Sequence, residues 1–591
     1  MNNSFFSPRR LLMLAAALIL VVIVYFSLRP KPIISPDQIT VQLPTLPKSM
    51  NPYLTTSAYT LNIASRIQQT LAVFDPRTST LQPVLIKSIP AKRMVTEGAY
   101  KGMHVYDFEI LKEARWDNGT SVTAADVSFT LKLIFQRAIP ELGKWRRYFE
   151  TMKAFETDPS NPLKFSIYFE KPYILELESV CQVPIMPAYT YDPNNSLKDI
   201  SLSALLVEKP DSQLLADPRF KAFADNFADP KYSNDLNFIG GSGPYRLKLL
   251  TDQVVILEKK ENWWGNTLSE QYPMLAAYPK TIQFRLIMDD ATLETMLKTR
   301  EIDLAHNMNA TKFLQWKSDT AISNYYNFEQ GWAPSYNRIV INMANPKLSD
   351  KRVRQAIAYA TDYDYIFNKI FQGLGSRIVG PINPVKAYYN KNVPLYQLDI
   401  PKAKALLAEA GWTDTNGDGI VDKDLGDGTR TELQIKLMSA NTVKYIEEAT
   451  NSLHDSYKQA GIDLVVESVS LTTMITRYTE GTFDLGLSAG YVNTGLDDFY
   501  QILHTKSLPP NGDNRSRFSN AEVDKLLEDI NASEDEQARN KMYLRLQEII
   551  HEEVPELYLC ATNQRYIVAK KFDYVLSPER PGYFEYLFHL K

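Results

Sequence analysis

One short stretch carries the side chains most typical of a metal site. Residues 414–424 have the sequence DTNGDGIVDKD, with oxygen side chains at positions 1, 3 and 5 and glycine at position 6, as in the first half of a calcium loop. Position 12 is Leu425, where such a loop needs a bidentate acid. Two interpretations stay open, an Asx-rich turn and a low-affinity calcium site; no other cofactor is indicated. The calcium ligands would be Asp414, Asn416, Asp418 and Asp422.

Each segment that resembles part of a catalytic or metal-binding motif lacks a residue that the motif requires. The run GGSG at 240–243 is followed by Pro244, where a nucleophile elbow needs glycine, and it lacks the Lys-Ser/Thr pair of a phosphate loop. His551-Glu552-Glu553 lacks the second histidine of a zinc helix. Cys181 and Cys560 do not form a CxxC pair, and we expect two free buried thiols, with one disulfide as the alternative. The sequence therefore predicts a protein that is not an enzyme.

A second group of polar side chains lies in DLGLSAGYVNTGLDDFYQIL, residues 484–503. A buried strand is expected over 484–488, followed by an irregular loop before Phe499. Loops at the ends of strands are where binding clefts collect their polar contacts. Tyr491 would supply an aromatic wall and Asn493 a neutral hydrogen-bonding group. The alternative is an ordinary solvent loop.

Length and composition limit the class of protein. A chain of 591 residues predicts two to four domains, and a hydrophobic content of 44% allows a sizeable core. The net charge is −4, and no basic stripe follows the N-terminus, so nucleic acid is not an expected partner. The 34 tyrosines suit a cleft lined with flat amphipathic rings, and for any single one the alternative is an ordinary core residue.

The N-terminus has the features of a membrane anchor. Residues 11–28 are almost continuously apolar and follow Arg9 and Arg10, which favours a cytoplasmic segment 1–10 and a transmembrane signal anchor 11–28. Residues 29–37 contain three prolines and form a stiff linker. The remainder would be exported, with a cleaved signal peptide as the alternative to an anchor.

The folded part shows clear helix and strand punctuation. The apolar run at 339–341 predicts a strand, and Val353, Ala356, Ile357 and Ala360 form one helical face after Ser349, a predicted N-cap. Ser519 and Ser533 are predicted to cap two later helices. Strands and helices that alternate along the chain indicate an α/β protein.

Four segments resemble the peptide/nickel class of extracellular solute-binding proteins, the receptors of oligopeptide and dipeptide ABC importers. The first is NPKLSDKRVRQAIAYATDYDYIF with GLGSRIVGPINP after it. The others, in matching order along the chain, are ARWDNGTSVTAADVSFTLKLI, GSGPYRLKLLTDQVVILEKKENWWG and KAKALLAEAGWTDTNGDGIVDKD.

This resemblance implies an α/β, two-lobe periplasmic-binding-protein fold (type II, peptide-binding branch) with an extra small domain inserted in lobe one. Lobe one would comprise residues 38–85 and 208–330, the inserted domain 86–207 and lobe two 331–555, and 556–591 would return to lobe one. Two crossings between lobes form a hinge.

The resemblance also implies site residues. The first loop of lobe one would face the ligand, which makes Tyr53 and Tyr59 candidates. Peptide-binding relatives carry an acid before the equivalent of Phe499 that pairs with the peptide's amine, yet Val492 and Asn493 stand there. Asp497 is the remaining nearby carboxylate, and a ligand without a free amine stays open.

The function implied is that of a substrate-binding receptor of an ABC importer. It would capture peptides or a related small solute at the periplasmic or extracellular face of the cytoplasmic membrane, as a monomer. It would deliver them to permease subunits with an associated ATPase. A membrane-anchored sensor or chaperone-like receptor without a transporter, and an exported peptide hydrolase, are the alternatives.

Overall fold

The computed structural model describes residues 37–591 apart from 56, 208–211, 427, 441–445 and 511. The predicted cytoplasmic segment, the signal anchor and nearly all of the linker lie outside the described residues. None of the helices in the described part combines the length and apolar character that crossing a membrane requires.

The first part of the chain builds one buried strand and a small separate sheet. Strands β4, β5, β7 and β6 form, in that order, a four-stranded antiparallel sheet. These elements lie inside the predicted insertion 86–207, but their buried side chains join the same core as β1, so the boundaries of the insertion stay a prediction. The elements are β1 (Gln38–Leu43), α1 (Ala58–Ala64), β2 (Ala72–Phe74), β3 (Leu81–Pro83), β4 (Lys92–Met94), β5 (His104–Glu109), α2 (Ala124–Ile134), β6 (Met152–Asp158) and β7 (Asn161–Phe169).

The next part returns to the main sheet. It forms a hairpin, β8 with β9, and then a strand, a helix and a strand, β10, α4 and β11. Strand β10 pairs in parallel with β1 and antiparallel with β9. The elements are α3 (Pro218–Phe227), β8 (Tyr245–Leu250), β9 (Val254–Lys259), β10 (Thr281–Leu286), α4 (Asp290–Lys298), β11 (Leu304–His306), α5 (Ala310–Ser318) and β12 (Tyr326–Trp332).

The second lobe is built from helix and strand units around a mixed sheet. Strand β17 pairs in parallel with β18 and β19, and β19 pairs antiparallel with β13. The elements of this lobe are β13 (Ser335–Ile341), α6 (Lys351–Ala360), β14 (Gly375–Ser376), α7 (Ile400–Glu409), β15 (Asp422–Asp424), β16 (Arg430–Glu432), β17 (Gln434–Ala440), α8 (Ile446–Ala460), β18 (Asp463–Val469), α9 (Leu471–Glu480), β19 (Leu485–Tyr491), α10 (Ala521–Ala532) and α11 (Glu536–Glu553). They are followed along the chain by β20 (Glu556–Ala569), β21 (Phe572–Asp573) and β22 (His589–Leu590).

The predicted helices of this lobe are present, but their N-caps are shifted by one or two residues. Helix α6 begins after Asp350, whose carboxylate accepts the Arg352 N–H at 2.9 Å, while the Ser349 hydroxyl donates to the Pro346 carbonyl. Asn520 caps α10 and Asp535 caps α11, so the predictions of Ser519 and Ser533 are wrong as well. Asp and Asn cap at least as well as Ser, so a neighbouring acid or amide displaces the serine.

Strand β20 joins the two lobes. Its first half pairs antiparallel with β13, where Val340 faces Glu556. Its second half pairs with β11, where His306 faces Tyr566, and with β12 over Tyr326–Trp332. Only Ala333 and Pro334 separate β12 from β13, so both connections between the lobes run side by side through hydrogen-bonded strands.

Each lobe has its own hydrophobic core. One cluster contains β1, β10 and the small sheet, and another packs the predicted face of α6 against α7, α8 and the second-lobe strands. Cys181 lies in the first core and Cys560 in the second, and both are buried, free thiols. The preferred prediction for the cysteines is therefore confirmed.

A buried ion pair at the junction gives a stability prediction. Arg338 Nη1 on β13 lies 2.5 Å from Glu556 Oε1 on β20, and both residues are 5% exposed or less. Because Glu556→Gln leaves the guanidinium buried without its charged partner, we expect it to lower the free energy of unfolding by about 3–5 kcal/mol in urea titrations. Glu522→Gln, which breaks the exposed pair with Arg545, is the control and should change it little. Equal effects of the two variants would contradict the assignment.

Candidate functional site

A cleft with two chambers opens between the lobes. The chambers have volumes of about 480 and 540 Å³, which is in the range of small-molecule sites. They share a wall, here called the waist, that is formed by Phe74, Gln182, Tyr491, Glu579 and Arg580. Because the waist combines residues before β13 with a residue at the end of β19 and residues after β20, it forms only when the lobes are together.

The first chamber is lined mainly by lobe one. Helix α1 and the turn after it contribute Tyr59 and Gln69, and the segment after β11 contributes Asn307, whose amide donates to the Tyr59 hydroxyl at 3.0 Å. His306 lies behind them, where burial lowers its pKa to about 4. At neutral pH this imidazole is therefore uncharged, and this side of the chamber presents amides and aromatic rings, whereas the waist contributes the charged side chains of Glu579 and Arg580.

The second chamber lies between the helix Glu176–Cys181 and the loop after β19. Glu178 and Trp145 line one side, and Asn493 and Thr494 line the other. Burial raises the pKa of Glu178 to about 7, against the opposing effect of Lys386. In the waist, burial and then repulsion from Glu178 raise the pKa of Glu579 to about 7. Two carboxyl groups therefore titrate near neutrality inside the cleft.

One buried lysine shapes the loop after β19. Lys386, whose side chain is 8% exposed, donates to the carbonyls of Asn493 at 2.9 Å and Thr494 at 2.6 Å, and also to the carbonyl of Gly495. Its Nζ lies 4.0 Å from Asp497 Oδ2. All three ammonium protons are therefore directed at backbone carbonyls.

Asp497 lies beneath the same loop and supports its shape. It is 1% exposed, and its carboxylate accepts the Tyr388 hydroxyl at 2.9 Å and the Asn493 N–H at 3.1 Å. Burial raises its pKa to about 6, with Lys386 opposing. Each carboxylate oxygen therefore already accepts one hydrogen bond from the protein, and the residue also reaches the wall of the second chamber.

The structure brings most of the predicted site residues together. Tyr491 is 61% exposed and lines both chambers, Tyr59 lines the first, and Asn493 lines the second while its amide donates to the Leu496 carbonyl. Their roles in binding stay predictions.

Tyr53 is placed elsewhere. It is 0% exposed, its hydroxyl donates to the Pro184 carbonyl at 2.7 Å, and its ring packs against Trp145. It lines neither chamber, so the structure supports the alternative assignment as a core residue.

Sequence reasoning missed the charged residues of the cleft. Glu178, Lys386, Glu579 and Arg580 come from distant segments, and none has a local motif around it. The guanidinium of Arg580 lies over the Tyr491 ring, 3.6 Å from its centroid, and Glu579 accepts the Thr494 hydroxyl. Both contacts join the chain after β20 to the end of β19 and the loop that follows it.

The loop at 414–424 uses its oxygens within the protein. Asp414 accepts the N–H groups of Gly417 and Gly419, at 2.7 and 2.9 Å, and Asp418 accepts that of Ile420 at 2.8 Å. Asp422 pairs with Arg430. These contacts are those of an Asx-rich turn, and across the described residues no group of three or more acidic, histidine or cysteine side chains could hold a metal ion. Calcium binding at Asp414, Asn416, Asp418 and Asp422 stays a prediction.

The two-lobe sheet with a cleft at the hinge defines a type II solute-binding protein. Residues 93–510, more than half of the chain, match the bacterial extracellular solute-binding proteins, family 5. The chain therefore belongs to this family, and the predicted family, fold class and binding function are confirmed.

Individual relatives are similar at low identity. The oligopeptide-binding protein AppA of Bacillus subtilis is 25% identical over 493 residues, which cover 81% of this chain and 79% of the relative. The dipeptide-binding protein of Escherichia coli is 23% identical over 369 residues, 59% of this chain and 61% of the relative.

Solved structures show the same fold. The Bacillus subtilis AppA complex with a nonapeptide has a TM-score of 0.72 at 22% identity and covers 94% of this chain and 99% of the other. NikA of Brucella suis, solved with Fe(III)-EDTA, has a TM-score of 0.70 at 19% identity and covers 94% and 100%.

Substitutions at Tyr491 and Tyr53 should have separate effects on ligand affinity and on the stability of the fold. We expect Tyr491→Ala to leave unfolding nearly unchanged, because the ring is largely exposed, and to weaken ligand binding roughly tenfold. Tyr53→Ala should lower the free energy of unfolding by about 3–5 kcal/mol, because it empties a core position. Thermal unfolding measures the stability of each variant, and calorimetric titration with a captured ligand measures its affinity. Weaker binding by Tyr53→Ala alone would contradict this placement of the site.

Proposed function

We propose that the protein is the substrate-binding receptor of an ABC importer and that it captures short peptides or a related small solute in the cleft. The observation that carries the proposal is the pair of chambers that meet at a waist built from both lobes. Relatives named for oligopeptides and dipeptides support a peptide as the ligand.

Contacts between the lobes support a closing mechanism. Tyr173 donates to Asp498 at 3.0 Å, and the Ile174 N–H donates to the Asn531 carbonyl at 3.0 Å. These contacts add to those that Glu579 and Arg580 make with the loop after β19. A ligand that touches both lobes only when they are closed shifts the equilibrium toward the closed form. A permease would then recognise that form.

The proposal also includes the oligomeric state, the location, the partners and the domain bounds of the protein. The receptor acts as a monomer outside the cytoplasmic membrane, held by the anchor at residues 11–28, and delivers its ligand to permease subunits with an associated ATPase. Lobe one comprises 38–85, 208–330 and 556–591, lobe two 331–555, and the small domain 86–207 packs on lobe one. The tether supports a second candidate, a membrane-anchored receptor without a transporter.

Turnover is not part of the proposal. Polar groups at the loop after β19 are engaged within the protein. Lys386 fixes this loop by donating to the Thr494 carbonyl, and the Thr494 hydroxyl donates to Glu579, whose pKa is raised by burial. An exported peptide hydrolase would cleave a fluorogenic peptide pool, and such turnover by purified protein would overturn the assignment as a receptor.

The identity of the ligand that co-purifies with the protein tests the proposed function. We expect native mass spectrometry of the purified full-length protein, followed by denaturation, to release a ladder of short peptides. The two chambers accommodate varied side chains, while backbone hydrogen bonding is common to all peptides. Release of one defined non-peptide compound, or failure of any peptide to bind after refolding, would contradict a peptide receptor.

A further inference from the structure

The carboxylate of Glu178 lies in the cleft without a donor. Among the described residues it makes no hydrogen bond, and no cation lies within 4.0 Å of it, although it lines the second chamber. A Cβ added at Gly495 would lie 3.6 Å from its Oε1, so the carboxylate faces the loop after β19. A partly buried carboxylate without a donor is costly to ionise, and it gains most from a partner that arrives with a positive charge.

The neighbouring charges do not supply that partner. Lys386 acts on the pKa of Glu178, Glu579 and Asp497, but its three protons are directed at carbonyl oxygens. Arg580 stacks on Tyr491 and forms no ion pair with either glutamate. Arg147, at the far side of the second chamber, lies over Tyr500. The chamber lining and Lys386 together hold three cationic side chains, Lys386, Arg147 and Arg580, against four carboxyl groups, Glu178, Asp497, Asp498 and Glu579, so the site carries one excess negative charge when all four ionise.

A second observation lies in the first chamber. The side chain of Gln69 is among the chamber's lining, the residue is 6% exposed, and its Oε1 has no hydrogen-bond partner in the described part of the chain. Burying an amide without a partner is unfavourable unless something else completes its hydrogen bonds. A ligand amide in the chamber can accept from the N–H groups of this carboxamide, and it can donate to Oε1 once the side chain turns toward the chamber, because Oε1 itself has almost no accessible surface here.

We propose that Glu178 and Glu579 bind an ammonium group of the ligand where the waist meets the second chamber, while Gln69 hydrogen-bonds an amide of the same ligand in the first chamber. The proposal rests on the proposed function and specifies its substrate class as amide-containing cations. The ammonium can come from a free amino end or from a lysine side chain, and the experiment distinguishes these sources.

The main test compares three peptide pools on the full-length protein by native mass spectrometry. One pool holds random tri- to pentapeptides without Lys, Arg or His; the second is the same pool N-acetylated; the third is an acetylated pool that contains Lys. We expect free-amine peptides to be retained over acetylated ones by roughly tenfold or more, the value of a charge-assisted hydrogen bond. If acetylated peptides with Lys bind instead, the cation is a side chain and the waist site still holds.

Variants of the two glutamates test whether these residues cause the preference for peptides that carry an ammonium group. Glu178→Gln and Glu579→Gln keep the shape of the side chains and should each reduce the preference for the cation severalfold. Glu270→Gln, which replaces an exposed acid that lines neither chamber, should leave it unchanged. Equal retention of all three pools by the unaltered protein would overturn the waist site while leaving the peptide receptor intact. Failure to retain any pool would overturn both.

The pH dependence has a definite sign. The carboxyl groups must be ionised to bind a cation, and those of Glu178 and Glu579 titrate at about 7 in the ligand-free protein. Affinity for free-amine peptides should therefore rise between pH 5.5 and 7.5, while an α-amine, with a pKa of about 7.7–8.0, is still mostly charged. Calorimetry should detect proton release on binding at pH 7, and Glu178→Gln should reduce that release. No proton release and a flat profile would contradict the proposal.

Gln69→Leu independently tests the proposed hydrogen bond between Gln69 and an amide of the ligand. Replacing an unpartnered buried amide by an apolar side chain of similar size should leave the melting temperature unchanged or raise it. The same variant should weaken binding of free-amine peptides severalfold without altering the preference for the cation. Unchanged affinity would remove Gln69 from the site.

Discussion

Strand β20 is hydrogen-bonded to strands of both lobes, and the cleft depends on this continuity. Its first half belongs to the sheet with β13, and its second half to the sheet with β11 and β12. The other connection, β12 to β13, runs beside it, so the lobes can rotate about two adjacent strands without breaking either core. The residues after β20 then return across the cleft, which is why Glu579 and Arg580 reach the loop after β19.

Burial of charge is the second constraint. Glu178, Glu579 and Asp497 lie largely out of water with Lys386 as their shared cation, and burial is the main cause of the raised pKa of each carboxyl. Lys386 neutralises part of this charge while its protons fix the loop. A cationic ligand would therefore stabilise the closed form most strongly, which couples ligand chemistry to closure.

The sequence predicted what depends on local periodicity and on family motifs. The buried face of α6 follows from Val353, Ala356, Ile357 and Ala360, and the order of strands and helices follows from the resemblance. Residue type alone does not fix the cap positions, because Asp350 adjoins Ser349 and both residue types cap helices. Tyr53 and Tyr491 could not be distinguished, since both are aromatic residues beside loops. Glu178, Lys386 and Glu579 lie in segments that only the fold brings together, so no spacing could indicate them.

Closure of the two lobes on a ligand is the central claim, and an electron spin resonance distance measurement tests it directly. Nitroxides at Lys221→Cys and Asp455→Cys report on lobe one and lobe two, since these side chains are 80% and 82% exposed and the native thiols are buried. We predict a broad distance distribution in the stripped protein that shifts to one narrow population when a captured peptide is added back. An identical distribution with and without bound peptide would show that the lobes do not close on it.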